Sequence, residues 1–441
     1  MQGKVSNFDL IYSGGYIHRN VDNVNDYSDY SYSYDAFYTN TYAAFPTYFG
    51  DNFRNDSGEL INPAQTIFSK NIFTKQSHEL RLTSPKEGRL RGVVGLFYQQ
   101  QTNITRDEYR VANLATALSI TGQPGVLYLN AQDRVDKDQA VFAEMNYDLT
   151  SRLTATGGLR FFKYRNTVYG FFGYNAQVLG NGSPARASGE GQCTPPVSDA
   201  NNGVRPCINI DNLASRQGET YKLNLSYKLA GDRLIYGTWS TGFRPGGVNR
   251  VANRPSYTPD YLTNFEIGWK FTWRNGGLRF NAAGFLERWK DAQFGITGTN
   301  GITEITNAGS ARIFGVESDV QWAASHRLLL TGKIDTTPLA VAGSRLPVSL
   351  RFKAHLIARY HFPLDSLDAH LRGAMAMQSD VVPALDAATN QVTGNQPGYA
   401  TFDLSAGVKR GNWSAELFVE NAFDRRAEQS RYTSCAADNA A

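Results

Sequence analysis

The chain has 441 residues, and its 44 basic and 40 acidic side chains leave a net charge of +4. Such a balanced charge gives no support to a nucleic-acid partner, and no apolar run approaches the roughly 18 residues that a transmembrane helix needs. The 24 Tyr, 25 Phe and 41 Gly against 4 Met favour a β-rich fold. The mean hydropathy of −0.40 is that of a soluble protein, but membrane β-strands are only half apolar and hardly raise this index.

The sequence predicts strands joined by connections that are alternately short and long. Apolar and polar residues alternate along these strands, as from Tyr221 to Leu229, because successive strand side chains point to opposite faces. Short turns are predicted at 20–26, 84–88, 150–152, 230–232, 274–276, 324–326, 363–366 and 410–412, and long connections at 45–64, 111–134, 176–217, 291–310, 337–347 and 379–397. The segment 27–44 is predicted as a tyrosine-rich strand.

About sixteen antiparallel strands follow from this rhythm, with short turns at one end and long loops at the other. Outer-membrane barrels have this asymmetry, with short periplasmic turns and longer extracellular loops. A propeller would repeat a blade-like unit, and a soluble sandwich would have shorter strands. The sequence therefore predicts an all-β fold, a transmembrane antiparallel β-barrel.

The strand from Asn264 to Trp273 shows the two faces of such a wall most clearly. A charged side chain that faces lipid destabilises a barrel, by about 2–4 kcal/mol for Lys at the bilayer midplane and by less for Glu. We therefore predict that the apolar set faces outward and that the charged residues face the lumen. The outward set is Phe265, Ile267, Trp269 and Phe271, and the lumen set includes Glu266 and Lys270.

Signatures of the common enzyme classes are missing from the sequence. His78 and Glu79 begin like a zinc-binding H-E-x-x-H motif, but position 82 is Leu, so the second histidine is lacking. There is no G-x-S-x-G nucleophile elbow and no Walker A motif. The six histidines lack the tight convergence or carboxylate partners of a metal site. We predict no enzyme, no cofactor and no metal centre.

Four segments, in chain order, resemble the barrel of the TonB-dependent outer-membrane receptors. GFRPGGVN (242–249) with YTPDYLTNFEIGWK (257–270) is similar to that family's loop and its following strand. SHELRLTSP (77–85), NAGSARIFGVESDV (307–320) and FVENAFDRRA (418–427) resemble further barrel signatures. The residues that carry the motifs are Gly242, Phe243, Pro245, Gly246, Gly247, Asn264, Glu266, Asn421 and Asp424.

The resemblance implies energised uptake of a scarce ligand, most often a ferric siderophore, across the outer membrane of a Gram-negative bacterium. Its implied partners are outer-membrane lipid, the small nutrient, and the TonB system, which acts through a plug domain. A receptor for a glycan or another nutrient and a passive porin are alternatives within the class. A soluble all-β binding or adhesion protein is the alternative from another class.

The resemblance also implies a fragment of a receptor. Barrels of this kind have 22 strands and a plugged lumen, whereas no plug is recognisable before the first strands and no aromatic-ended strand follows Asp424. The start lacks the apolar h-region of a signal peptide, so we expect the true start upstream. Residues 1–424 are predicted as a partial barrel and 425–441 as a tail before a missing strand. We expect either an open wall with unpaired edges near Phe8–Tyr16 and Trp413–Phe423 or a barrel that closes as a narrower cylinder. We also expect that this chain alone carries out no TonB-dependent uptake.

Candidate ligand-binding residues lie in and after the glycine-rich loop, where cations could meet an anionic ligand. They are Arg244, Asn249, Arg250 and Arg254. The alternative is that Gly and Pro only shape the exit of a strand. The tyrosines of 27–42 could stack a ring-bearing ligand or face lipid in an interfacial row.

A disulfide between Cys193 and Cys207 is predicted in the longest loop, because the export that the resemblance implies leads to an oxidising compartment. Two free thiols are the alternative. Cys435 is expected to stay unpaired.

Overall fold

The computed structural model describes residues 1–28, 53–175, 189–193, 205–251, 254–273, 276–297, 303–336, 345–384 and 387–431. These ranges are almost entirely β-structure, which confirms the predicted fold class. Among these residues, no helix combines the length and the apolar character needed to cross a membrane.

The described residues form eighteen strands, one short α-helix and one 3-10 turn. The strands are β1 (Gln2–Val5), β2 (Phe8–Asp26), β3 (Gln65–Thr83), β4 (Leu90–Val111), β5 (Val126–Asp148), β6 (Leu153–Tyr174), β7 (Ile210–Ala230), β8 (Arg233–Arg244), β9 (Asp260–Trp273), β10 (Leu278–Lys290), β11 (Gln293–Thr297), β12 (Thr303–Asn307), β13 (Ser310–Ala323), β14 (Leu328–Thr336), β15 (Phe352–Leu364), β16 (Leu367–Gln378), β17 (Tyr399–Arg410) and β18 (Trp413–Val419). The 3-10 turn is Glu190–Gln192, and helix α1 is Ala387–Thr393.

Sixteen strands form one sheet in chain order, and β11 and β12 form a separate hairpin. Every pairing is antiparallel, as a meander of hairpins requires. β1 and β18 stand at the two margins and do not pair with each other in the part that the structure describes. The expected open edges lie along β18 and along β2 beyond Ile11, whereas Phe8–Ile11 is covered by β1.

The polar segment 20–26 is a strand, so the predicted turn there was wrong. The ladder between β2 and β3 runs without a break from Asp9 opposite Thr83 to Asp26 opposite Thr66. This end of β2 lies beyond the apolar part of the wall, where both faces can be polar and the alternation signal disappears. Residues 29–44 of the predicted tyrosine-rich strand lie outside the described residues.

Four long connections are shorter or more structured than predicted. β5 begins at Val126 and β7 at Ile210, so both strands enter segments that were predicted as loop. The connection 291–310 contains the β11–β12 hairpin, and 379–397 contains α1. The short turns at 84–88, 150–152, 230–232, 324–326, 363–366 and 410–412 lie between strands as predicted.

The register gives the sheet one apolar and one polar face. Phe265 stands opposite Trp239 and Leu286, and Ile267 stands between Gly237 and Gly284. Directly opposed residues share a face, so these positions form an apolar face.

On the other face, which we call the polar face, Tyr236 donates a hydrogen bond of 2.7 Å to Glu266. Ile267 on the apolar face is 67% exposed, as expected for a side chain that meets lipid. Lys270 stands opposite Asn281 on the polar face. The predicted assignment of the two faces of β9 therefore agrees with the register.

Strands β4 to β7 extend well beyond the apolar belt. They have 21 to 23 residues, against 12 to 14 in β8, β9 and β10. On their polar face Val248 and Val251 pack against Val168 and Phe172, and on the opposite face Phe171 packs in a second cluster with buried connections. The upper wall is thus covered on both sides, and this covering positions the site described next.

Candidate functional site

The segment that follows β8 folds onto the polar face of the tall strands, and we call its described residues, 245–251 and 254–259, the inner loop. Gly247 and Tyr257 exchange two backbone hydrogen bonds of 3.1 and 2.9 Å and close this loop. A Cβ atom at Gly246 would collide with the carbonyl oxygen of Tyr257, and one at Gly247 with the Tyr257 hydroxyl. The close approach of the two loop branches therefore requires a glycine at 246, where the clash is with backbone, whereas a side chain at 247 would have to displace the Tyr257 ring.

The inner loop is fixed to the wall by hydrogen bonds as well as by its valines. The backbone N–H of Val248 donates to Oδ1 of Asn166 over 2.8 Å. Nε2 of Gln132 donates to the carbonyl oxygen of Arg250, also over 2.8 Å. Both wall residues are buried, so their polar groups need these partners.

Arg244 is held by the protein at the start of the inner loop. Its guanidinium forms an ion pair of 2.5 Å with Asp260, whose side chain is only 4% exposed. Asp260 also accepts the backbone N–H of Gln293 at 3.1 Å, and Arg244 donates to the Gln293 carbonyl at 3.0 Å. Arg244 therefore joins the ends of β8 and β9 to the β11–β12 hairpin.

Asn249 and Arg254 join the inner loop to the same hairpin. The amide of Asn249 donates to the carbonyls of Pro255 and Ile305, both at 2.9 Å, and its Oδ1 accepts the Ile305 N–H at 2.8 Å. Arg254 forms an ion pair of 2.7 Å with Glu304. Asn249 is 6% exposed, so its side chain is engaged inside the protein.

Arg250 differs from the other three candidates because its exposed guanidinium forms no hydrogen bond or ion pair with a described residue. Its guanidinium carbon lies 5.4 Å from the ring centre of Phe172. Tyr128 contacts Tyr109, Phe172 and Tyr174 edge to face, with ring centres 5.1, 5.2 and 4.6 Å apart. We call these four rings the aromatic group. Phe172 is buried, so the arrangement offers one exposed cation beside the partly exposed rings and hydroxyl groups of three tyrosines.

The remaining motif residues around β8 and β9 also have structural contacts. Phe243 stacks on Phe162 with ring centres 3.4 Å apart. The Pro245 carbonyl accepts a hydrogen bond of 3.0 Å from Gln293. Asn264 lies 3.5 Å from Glu266. Gly242 would meet no atom within 4 Å if it carried a Cβ, and the structure offers no steric reason for a glycine there.

The late motif forms a turn after β18. Asn421 and Asp424 adopt left-handed φ values of 49° and 47°, which Asn and Asp tolerate better than most residues. The Asn421 N–H donates to Asp403 at 2.9 Å, and its Oδ1 accepts the Arg425 N–H at 3.0 Å. This part of the motif is explained by turn formation.

Cys193 and Cys207 form a disulfide with their Cα atoms 6.1 Å apart. Both cysteines pack against the cluster that contains Phe171 on the apolar side of the upper wall. The neighbouring Glu190 accepts hydrogen bonds of 2.8 Å from the N–H and the hydroxyl of Thr121. The bridge therefore links two segments of the connection between β6 and β7, and Glu190 attaches the first of them to the connection before β5. Cys435 lies outside the described residues.

Several residues that build the site carried no recognisable sequence motif, among them Asn166, Gln132 and Gln293. One signal was available. The run VYGFFGY (168–174) lacks strict alternation, and a strand that is apolar on both faces indicates covering on both sides. Among the residues that the structure describes, no group of three or more His, Cys, Asp or Glu side chains could hold a metal ion.

An antiparallel wall with an exposed apolar face, a polar inner face and long loops at one end defines the class of outer-membrane β-barrels. The family model described as TonB dependent receptor-like, beta-barrel matches residues 3–422. The chain belongs to this family, and the resemblance found in the sequence is confirmed. Transporters of this family are not enzymes, in agreement with the prediction. No curated protein matches the chain significantly.

Solved structures share the fold at low sequence identity. The ferric yersiniabactin uptake receptor FyuA from Yersinia pestis has a TM-score of 0.70 at 16% identity, covering 98% of this chain and 56% of that one. The siderophore receptor PiuA from Acinetobacter baumannii has a TM-score of 0.64 at 15% identity, with 98% and 60% covered. The copper transporter OprC has 0.61 at 14% identity, with 96% and 57% covered. The chain thus spans 56–60% of the length of these proteins.

Proposed function

We propose that this chain forms the barrel wall of a receptor that takes up a ferric siderophore across the outer membrane with energy supplied through TonB. Membership of the TonB-dependent receptor family supports the transport class. The names of similar structures support the siderophore, because FyuA and PiuA are described as receptors for such ligands. The proposed partners are outer-membrane lipid, the TonB system acting through the family's plug domain, and the ferric chelate.

The observation that carries the ligand proposal is Arg250 beside the aromatic group. The guanidinium can bind the two oxygens of a carboxylate of an anionic chelate through two parallel hydrogen bonds, or donate to a single phenolate oxygen. The neighbouring rings offer faces and edges for a ring-bearing ligand. We propose that Arg250 contacts the ligand, whereas Arg244, Asn249 and Arg254 hold the inner loop in the conformation that presents Arg250.

The apolar face disfavours the soluble alternative. Leu223, Leu225 and Ile267 are 57%, 55% and 67% exposed and lie close together on that face. A contiguous apolar surface of this kind is costly in water and is normal against lipid. The proposed location is therefore the outer membrane of a Gram-negative bacterium.

Binding of ferric chelates to the purified chain in detergent tests the ligand proposal. Intrinsic fluorescence is titrated with one ferric catecholate, one ferric hydroxamate and ferric citrate. We expect one of them to bind, and the Arg250→Ala variant to bind it about 10–100-fold more weakly, the loss of one or two hydrogen bonds to a charged group. Arg410→Ala is the matched control, because Arg410 lies at the opposite end of the wall, and it should leave binding unchanged.

Two results would contradict the proposal. If none of the ferric chelates binds, while a cupric salt or a maltooligosaccharide does, the siderophore assignment is wrong and another nutrient receptor is indicated. If one chelate binds equally well to the Arg250→Ala variant, the ligand lies elsewhere in the lumen.

A further inference from the structure

Three cations lie on the apolar face just beyond its last bulky apolar residues. Arg288 stands directly opposite Arg312, and Lys290 follows two residues later on the same face. The guanidinium carbon of Arg288 lies 5.7 Å from the ring centre of Phe265, which places this side chain on the apolar side. All three cations are exposed.

These cations have no anionic partner in the described part of the chain. Like charges directly opposite each other on neighbouring strands repel and destabilise the pair. None of the three forms an ion pair with a described residue. The residues opposite Arg288 and Lys290 on β9 are Thr263 and Tyr261, so no carboxylate offsets the repulsion.

An apolar groove lies on the same face of the same strands. It has a volume of about 1010 Å³. Its floor is lowered where Gly237 and Gly284 flank Ile267 in one row across three strands. The bulky residues between this row and the cations are Trp239, Phe265, Leu286 and Phe314. Arg288 lies four residues beyond Gly284, about 13 Å along the strand.

We propose that Arg288, Arg312 and this groove bind one phosphorylated lipid of the outer leaflet. The phosphate lies between the two guanidinium groups, which suit its geometry through paired hydrogen bonds. One acyl chain lies in the groove, and Lys290 adds a third positive charge at headgroup level. The lipid removes the repulsion between the arginines and fills a surface that bulk lipid tails would fill less regularly. The site does not depend on which nutrient the receptor transports.

Native mass spectrometry of the chain in detergent tests this site with diphosphorylated lipid A as the probe. We expect one lipid A to remain bound at concentrations where phosphatidylcholine, whose headgroup has no net charge, does not. Millimolar inorganic phosphate should not displace it, since the acyl chain contributes to binding. Displacement by inorganic phosphate would show a simple anion site and overturn the proposal.

Two variants separate the headgroup from the acyl chain. Arg288→Gln with Arg312→Gln should weaken retention of lipid A at least about tenfold. Gly284→Leu should weaken it to a similar degree with both arginines intact, by filling the groove. A Cβ at Gly284 meets only the Gly315 carbonyl oxygen at 3.9 Å, so the leucine fits without displacing the backbone.

The matched control removes two cations from the polar face of the same hairpin. Lys270→Gln with Arg279→Gln should leave lipid A binding unchanged. Equal retention by the arginine variant and the wild type would overturn the proposal. So would a loss in the arginine variant with no effect of Gly284→Leu, because then the groove takes no part. Far-ultraviolet circular dichroism checks that each variant keeps its β-structure.

Discussion

Asn249 offers the sharpest test of the distinction between residues that hold the inner loop and residues that meet the ligand. The substitution Asn249→Ala removes three hydrogen bonds of 2.8 to 2.9 Å, to Pro255 and Ile305. It leaves two carbonyl oxygens and one N–H without their partner at a site that is 6% exposed.

Each unsatisfied buried polar group costs about 1–3 kcal/mol, and water that enters the shortened site recovers part of it. We therefore expect a local loss of about 3 kcal/mol. Since about 1.4 kcal/mol corresponds to a tenfold change in an equilibrium constant, the closed state of the inner loop becomes about 100-fold less favoured. Local opening of this kind is reported by amide hydrogen exchange.

The assay is hydrogen exchange of the chain in detergent, read at the amides of Ile305 and Gly247. The Ile305 amide loses its acceptor directly, whereas Gly247 donates to Tyr257 and reports the inner loop as a whole. Both should exchange about 100-fold faster in Asn249→Ala. Asn20→Ala is the control, because Asn20 is an exposed asparagine of β2, and it should change neither amide.

If Gly247 exchanges at the wild-type rate in Asn249→Ala, the reasoning is refuted. The inner loop would then be held by its valines and by the wall alone. Asn249 would again be a candidate for direct contact with ligand.

Three further outcomes follow from the structure. Cys193→Ser removes a disulfide that closes a loop of 14 residues, which is worth about 3 kcal/mol in the chain-entropy model. The Thr121 amide should therefore exchange faster in this variant and in the reduced wild-type protein, and an unchanged rate would contradict this. Ile267→Lys places a charge on the apolar face at a cost of about 2–4 kcal/mol near the midplane. The urea concentration at the midpoint of unfolding in lipid vesicles should therefore fall for Ile267→Lys but not for Ile267→Leu. Equal midpoints for the two variants would place Ile267 away from lipid. Arg345 donates a hydrogen bond to Asp380 and lowers the pKa of that carboxyl. The protection against hydrogen exchange that Asp380→Asn removes should therefore be complete at pH 6 and fade as the pH falls below about 4, where the carboxylate becomes protonated. A difference between variant and wild type that does not change with pH would exclude the ion pair as its source.

The alternation of apolar and polar residues was sufficient to predict the wall of the barrel but not its upper part. Where one face meets lipid and the other a polar lumen, as in β9, each position is determined by its environment and the strand can be read directly. Residues 20–26 have water available on both faces, so their polar sequence resembled a turn. VYGFFGY is covered on both faces, and its strand was predicted to end in a long loop.

The candidate site was predictable only as a location. The glycines and cations of the GFRPGGVN loop pointed to the segment that forms the inner loop, because their types are unusual at a strand exit. The partners of those cations could not be predicted. Asp260, Glu304 and Ile305 reach Arg244, Arg254 and Asn249 through tertiary contacts, and these depend on how the inner loop and the hairpin fold back on the wall. Only the structure distinguishes Arg250 from its three neighbours, because its guanidinium has no hydrogen bond or ion pair among the described residues, whereas their side chains are engaged.

The unequal strand lengths give the rim of the wall two heights. β5 has 23 residues and β9 has 14. At about 3.3 Å per residue and a tilt near 45°, the wall stands roughly 20 Å higher on the β5 side. The proposed contact at Arg250 lies against the tall side of this rim, because Phe172 belongs to β6 and Tyr128 to β5.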